Sequence, residues 1–199
     1  FIRQADKATI ELPEKALWIA EARTLRAFCW LDAIDNYGNV PFADETAVVG
    51  ADIPKQISRK DLFNYIESEC LDLLGGNDLE EAGKGIYGRV NKGMVTMVLA
   101  KLYLNAEVYA GENRYQDCAD LLAGLNGKYS LHSKYNELFL ADNHNCKEEI
   151  IFAIQQRRIL PSAIRAAPHR CIRKLPVLDN VHIVDRKPSF RTDSAELPQ

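Results

Sequence analysis

The chain is poor in the residues from which metal centres, disulfide frameworks and membrane spans are made. Its five cysteines, at positions 29, 70, 118, 146 and 171, are odd in number and form no CxxC pair, which excludes a zinc ribbon and supplies no disulfide framework. His144 with Cys146 and His169 with Cys171 are each two residues apart, but neither has the second close pair that completes a four-ligand zinc site. No apolar run approaches the roughly 20 residues that cross a bilayer. The opening Phe1-Ile2-Arg3-Gln4 lacks the basic start and apolar core of a signal peptide. A glycine-rich phosphate loop, a GxSxG elbow and a Cys/His nucleophile setting are also missing. Neither enzyme activity nor a cofactor is supported, and no catalytic or metal-ligating residue is assigned.

What is present is an ordinary globular balance, 47% hydrophobic and 27% charged over 199 residues, enough to bury one core. The chain is organised around residues 20–42. Leu25, Phe28, Cys29, Leu31 and Ile34, with Trp18 and Ala22 before them, cover more than one side of a 3.6-residue repeat. That pattern predicts a helix over about 14–36, packed between neighbours and not lying on the surface. Gly38 and Pro41 write its stop, and Pro13 stands at or just before its first turn, where proline is tolerated. Residues 1–8 open without a cap and read as the tail of a helix that begins upstream.

Ser58 is the N-cap of a second helix over about 59–74, with Leu62, Phe63, Ile66, Cys70, Leu73 and Leu74 at helical spacing and Gly75-Gly76 ending it. Gly83 and Gly85 make residues 77–87 a loop. Nearly every position over about 90–109 is apolar or small, as in a helix buried around most of its circumference. A short link through Gly111 leads to a fourth helix over about 114–125, with Tyr115, Cys118, Ala119 and Leu122 as its stripe; so short a connection sets the third and fourth helices antiparallel. The run from Glu149 to Ile154 reads as a short buried strand.

Three of these stretches carry a resemblance. Glu21-Ala22-Arg23, Leu25-Arg26-Ala27 and Tyr37-Gly38-Asn39-Val40-Pro41 resemble the signature of SusD/RagB-family proteins, with Asn39 where the family more often has Asp; both suit a turn. Gly88-Arg89-Val90-Asn91-Lys92-Gly93 leading into Leu99-Ala100-Lys101-Leu102 resembles the opening of a later helix in that family, and Tyr135 to Phe139 followed by Glu149 to Ile154 resembles a third element. The likeness runs over about residues 1–156. It implies a mainly α fold: a tetratricopeptide-like α-α superhelical scaffold with little β beyond a short strand near 149–154. It also implies a non-enzymatic outer-membrane lipoprotein of Bacteroidota, lipid-anchored on the extracellular face, with anchor and signal peptide outside these residues. Such a protein binds a glycan or other nutrient and works with a SusC-like TonB-dependent transporter. Ligand-binding residues are not carried over, because the family's ligand aromatics come largely from regions absent here. The rival reading is an intracellular tetratricopeptide-type peptide-binding adaptor. It would keep a period of about 34 residues, whereas these helix pairs start about 76 residues apart.

Charge divides the chain at the same place. Residues 1–156 hold 16 Lys+Arg and 24 Asp+Glu, a balance of −8, whereas residues 157–199 hold 9 and 4, a balance of +5. The last 43 residues contain five of the eight prolines, no glycine and one aromatic, Phe190, so no long helix is expected there and Val181 to Val184 is at most a short strand. The basic stretch 157–173 lacks the interleaved aromatics of a nucleic-acid module, and no nucleic-acid partner is expected.

Elsewhere the residues read as structure. Cys29, Cys70 and Cys118 are expected to be buried free thiols; Trp18, Trp30, Tyr103 and Tyr109 to be core; and Tyr37 and Phe42 to pack the loop onto the next helix. Asp32, Asp35, Glu148 and Glu149 are expected on solvated faces and caps, since a glycosidase pair needs two carboxyls facing across a cleft. For residues 157–199 the expectation is a shifted reading frame or a misassembled gene end. Translating the encoding DNA in the other two frames should then give family-like sequence; finding none in either frame removes the idea.

Overall fold

The computed structural model describes residues 1–47, 50, 53–140 and 142–154, with the backbone of 173–174. Six helices carry it: α1 (Ile2–Lys7), α2 (Lys15–Tyr37), α3 (Arg59–Gly75), α4 (Lys92–Leu104), α5 (Ala106–Tyr109) and α6 (Tyr115–Ala123). Among the described residues, strand is confined to two-residue pieces. β1 (Val40–Pro41) pairs antiparallel with β2 (Gln56–Ile57), and β3 (Ala153–Ile154) with β4 (Arg173–Lys174). The architecture is mainly α, as predicted. The expectations for 157–172 and 175–199, including His169, Cys171 and the strand at 181–184, lie outside the described residues.

The helices start and stop for local reasons that the sequence announces. Gly38 ends α2 at φ 73°, its N–H donating to Ile34 O at 3.0 Å. A side chain there would also meet the Arg59 guanidinium, 2.6 Å from where a Cβ would stand. Ser58 caps α3 by accepting from Asp61 N at 3.1 Å, and Asn39 Oδ1 accepts from Arg59 N at 2.8 Å. Asn39 therefore satisfies a second orphan donor of α3, a task that the Oδ1 of an aspartate performs equally well. Asn91 is the N-cap of α4, accepting from Met94 N at 3.2 Å, so this helix begins two residues later than its apolar run.

α2 and α3 run antiparallel, because the C-terminal turn of α2 meets the start of α3 while Arg23 reaches Asp72 near its end. The facing stripes are Ala20, Thr24, Ala27, Leu31 and Ile34 on one helix and Leu62, Phe63, Ile66, Cys70 and Leu73 on the other. α3 packs in turn on α4, and α4 on α6, so the two predicted helix pairs share one core. α4 is buried nearly all round, from Met94 through Val95, Val98, Leu99, Leu102 and Tyr103. Each such fully buried side chain contributes about 1.5–3 kcal/mol of transfer free energy.

Several expectations are corrected. α2 is not enclosed on all sides: Leu25 is 41% exposed and Cys29 lies in solvent, because the burial stripe follows Ala20, Thr24 and Ala27 and turns these two outward. Trp18 is only half-buried, its Nε1 donating to Glu14 Oε2 at 3.0 Å, and Trp30 packs at the edge of the core. The helix over 90–109 breaks at Asn105, whose side-chain amide donates to Lys101 O at 3.0 Å and competes with the backbone ladder. On α6 the buried face is Cys118 with half-buried Leu121 and Leu122, while Tyr115 and Ala119 are exposed. The run from Ile150 to Phe152 is buried as predicted, but only Ala153–Ile154 is strand. Tyr37 is 77% exposed; of the two, Phe42 packs the loop onto the next helix, tilted against Trp30 and edge-on to Tyr65 at centroid distances of 5.2 and 4.8 Å.

Gly93 marks the tightest approach in the core. A Cβ there would lie 2.2 Å from the hydroxyl of Tyr129, which also accepts from Gly83 N at 2.9 Å. Gly93→Ala should cost about 1–3 kcal/mol in urea unfolding, the range of overpacking. The same substitution in a Tyr129→Phe background should cost markedly less, and equal costs in the two backgrounds would refute the contact.

Candidate functional site

Two glycine-supported turns and the segment entering β3 enclose a cleft of about 310 Å³. One wall is the loop from Gly83 to Arg89, in which Gly83, Gly85 and Gly88 all have positive φ. Lys128 and Tyr129 form a second wall, and Lys147, Glu148 and residues 150–153 a third. Ile86 stands at the rim, 74% exposed, and the Lys147 ammonium lies 5.7 Å from the centre of the Tyr87 ring. The arrangement offers amines, a phenol and apolar edges. Arg89, Asn91 and the Glu148 carboxylate complete the described lining, and these are groups that bind by hydrogen bonding and contact.

The second and third motif stretches line this cleft, through Gly88, Arg89 and Asn91 and through residues 150–153, while the first ties it to the helices. Arg89 donates from Nε and Nη2 to both oxygens of Glu21, at 2.6 and 2.7 Å, a bidentate pair that ties the first motif stretch to the second. Deeper between α2 and α3, Glu69 accepts from Arg23 Nη2 at 2.8 Å and Arg26 Nη2 at 2.7 Å, while Arg23 Nη1 reaches Asp72 at 2.7 Å. Arg26 also pairs with Glu45 and lies over the Tyr65 ring. Burial resists ionisation of Glu69, but the two guanidiniums outweigh it and hold its carboxyl below the usual range. Burial, reinforced by the charge of Glu69, pushes the Tyr65 hydroxyl up to about 12. Cys70 is likewise pushed up to about 12, chiefly by burial, so it is an inert thiol.

The carboxylates singled out in the sequence do not assemble. Asp35 accepts from the Tyr109 hydroxyl at 2.8 Å and locks α5 against the end of α2; Asp32 is exposed. Glu148 and Glu149 both hold His132 (Glu148 at Nδ1 and Glu149 at the backbone N–H), and Glu137 takes Nε2 at 2.8 Å. His144 is exposed and Cys146 buried, and among the described residues no three His, Cys, Asp or Glu side chains are grouped to hold a metal ion. Sequence reasoning missed His132, Lys84, Tyr87, Lys128, Tyr129 and Lys147. The readable signal was the pair Gly83 and Gly85, which announced only a loop.

No family model matches the chain. The starch-binding protein SusD of Bacteroides thetaiotaomicron is 33% identical over 141 residues, which is 69% of this chain and 25% of that protein. Surface glycan-binding protein A of Bacteroides uniformis superposes with a TM-score of 0.64 at 21% identity, covering 80% of this chain and 35% of that one. Surface glycan-binding protein A of Bacteroides thetaiotaomicron, in complex with laminarihexaose, gives 0.62 at 23% identity, covering 78% and 32%. The chain thus spans a quarter of the curated relative and about a third of each structure. These structural likenesses bear on the fold.

Glu69→Gln is expected to cost about 2–4 kcal/mol in urea unfolding at neutral pH, toward the lower part of the cost of breaking a buried ion pair because Arg23 keeps Asp72. The folded pKa of Glu69 lies below the unfolded one, so its contribution is complete above about 4.5 and is lost as pH falls through the folded value. The variant should therefore lose less stability than the parent on acidification below pH 4.5. Parallel acid limbs would show that Glu69 is not held ionised by the arginines.

Proposed function

The chain belongs to the SusD/RagB family over the part of a member that it spans, and from that premise we propose that it is the helical scaffold of a non-enzymatic, cell-surface nutrient-binding protein. The proposed cargo is an oligosaccharide, and the proposed partner is a SusC-like TonB-dependent transporter of the outer membrane. In the full-length protein the scaffold is lipid-anchored at the extracellular face.

The observation that carries this reading is the Glu21–Arg89 bridge. It joins two motif stretches 68 residues apart in a chain 33% identical to a protein named for starch binding. Motif residues that hold helices together preserve a shape, and a preserved shape is what a docking scaffold needs. The cleft supports the scaffold role in a second way. At about 310 Å³ it is at the small end of ligand pockets, below the room that a multi-residue glycan fills.

Two measurements test the proposal on the 199-residue chain. Mixed with a detergent-solubilised SusC-like transporter from the same organism, the chain should co-elute in size-exclusion chromatography, and elution apart from the transporter argues against docking. Calorimetric titration with starch- and laminarin-derived oligosaccharides should give affinities weaker than micromolar. A micromolar response would place a working glycan site inside this part of the chain and overturn the scaffold assignment.

A further inference from the structure

The segment that carries one wall of the cleft is fastened to the segment that carries another by two backbone N–H donors and one imidazole. His132 Nε2 meets Glu137 Oε2 at 2.8 Å and its Nδ1 meets Glu148 Oε1. Its backbone N–H donates to Glu149 Oε2 at 2.8 Å. Two residues earlier, Ser130 N donates to Glu148 O at 3.0 Å. Lys134 Nζ backs Glu137 at 3.0 Å. Only 16% of the His132 side chain is exposed. The charged groups facing it come from both segments: Lys134 and Glu137 from its own, Glu148 and Glu149 from the other.

A neutral imidazole has one N–H and one lone pair, whereas the protonated ring has two N–H donors. Two carboxylates placed at its two nitrogens are both satisfied only by the cation. We propose that His132 is a pH-dependent latch: protonated, it holds Glu137 of its own segment and Glu148 of the other at once; deprotonated, it can satisfy only one of them, and the ring's link from residues 128–139 to Glu148 weakens. Two carboxylate hydrogen bonds hold the ring's proton and raise its pKa above the usual 6.5, and the same contacts lower those of Glu137 and Glu148. The signs follow from linkage. The histidine's contribution is full below 6.5 and disappears as pH rises through its folded pKa. The glutamates' contribution is full above about 4.5 and disappears as pH falls through theirs. The latch is closed between the two.

Amide hydrogen exchange of the full chain, expressed as protection factors to remove intrinsic rates, reads the latch directly. Between pH 6 and pH 9 the factors for Ser130 and His132 should fall at least tenfold, while those of Leu99 and Leu102 in α4 stay constant. The His132 ring should titrate above 6.5 by NMR, and Glu148→Gln or Glu137→Gln should bring that midpoint down. His132→Gln should remove the pH dependence at Ser130. Constant factors at Ser130 and His132, an equal fall in α4, or a ring midpoint at or below 6.5 in the parent chain would each overturn the latch. The parent measurements decide the matter even where a variant does not fold.

Discussion

Everything described hangs on the pairing of α2 with α3, and that pairing is held in register by one half-buried carboxylate. Apolar packing sets part of that register, with Leu31 and Ile34 of α2 set among the large side chains of α3, while Ala20, Thr24 and Ala27 give that half of the helix little relief of its own. Arg23 and Arg26 are three residues apart on α2, and Glu69 and Asp72 three apart on α3, so the two charge rows match in one alignment. The net stability of such a buried network is small, since desolvation offsets attraction. Its effect is specificity: a slip of one turn would leave Arg26 and Glu69 buried without each other. Once α2 and α3 are aligned, the stripe of α3 presents Glu67 to the Tyr103 hydroxyl of α4 and to Arg114, which places α4 and α6 as well.

Much of this was legible in the sequence where a single residue decides the local structure. Gly38 stops α2, Ser58 starts α3 and the apolar run of α4 is buried nearly all round. Features that depend on tertiary angles were harder to read. Cys29 and Leu25 satisfy a helical period as well as Ala20 and Ala27 do; the small residues, which allow close approach, took the inner face instead. Asn105 was read as one polar position in a long helix, and its side chain proved to divide that helix from α5. The resemblance to the SusD/RagB family was legible because its motif residues are those that bridge elements, Glu21 to Arg89 and Arg26 to Glu69. The cleft was not legible. Its walls are brought together from 83–91, 128–129 and 147–153, and neither lysines nor tyrosines at such separations form a pattern along the chain.

Gly93 and Tyr129 show how the fold and the cleft share residues. The missing Cβ of Gly93 makes room for the phenol, and the phenol receives the Gly83 N–H that shapes the opposite wall. A glycine inside a helix is unfavourable by up to about 1 kcal/mol relative to alanine, so its presence at the start of α4 is explained by the tyrosine packed on it. The cleft is therefore a by-product of core packing at one rim and a hydrogen-bonded loop at the other, and its shape is as rigid as the contacts behind it.

The link between α2 and α3 has a final consequence. Its two ends are clasped together: Val40 faces Ile57, Phe42 N donates to Lys55 O at 3.0 Å, and Asn39 caps α3 at Arg59. Phe42 and Lys55 bring the chain back to one point, with Glu45 between them paired to Arg26, so past Glu45 the helices do not sense how much chain lies between. Doubling such a loop adds only about 0.6 kcal/mol of closure entropy. This is the place in the scaffold where evolution can splice in a new surface, or an engineer a tag, without disturbing the fold beneath it.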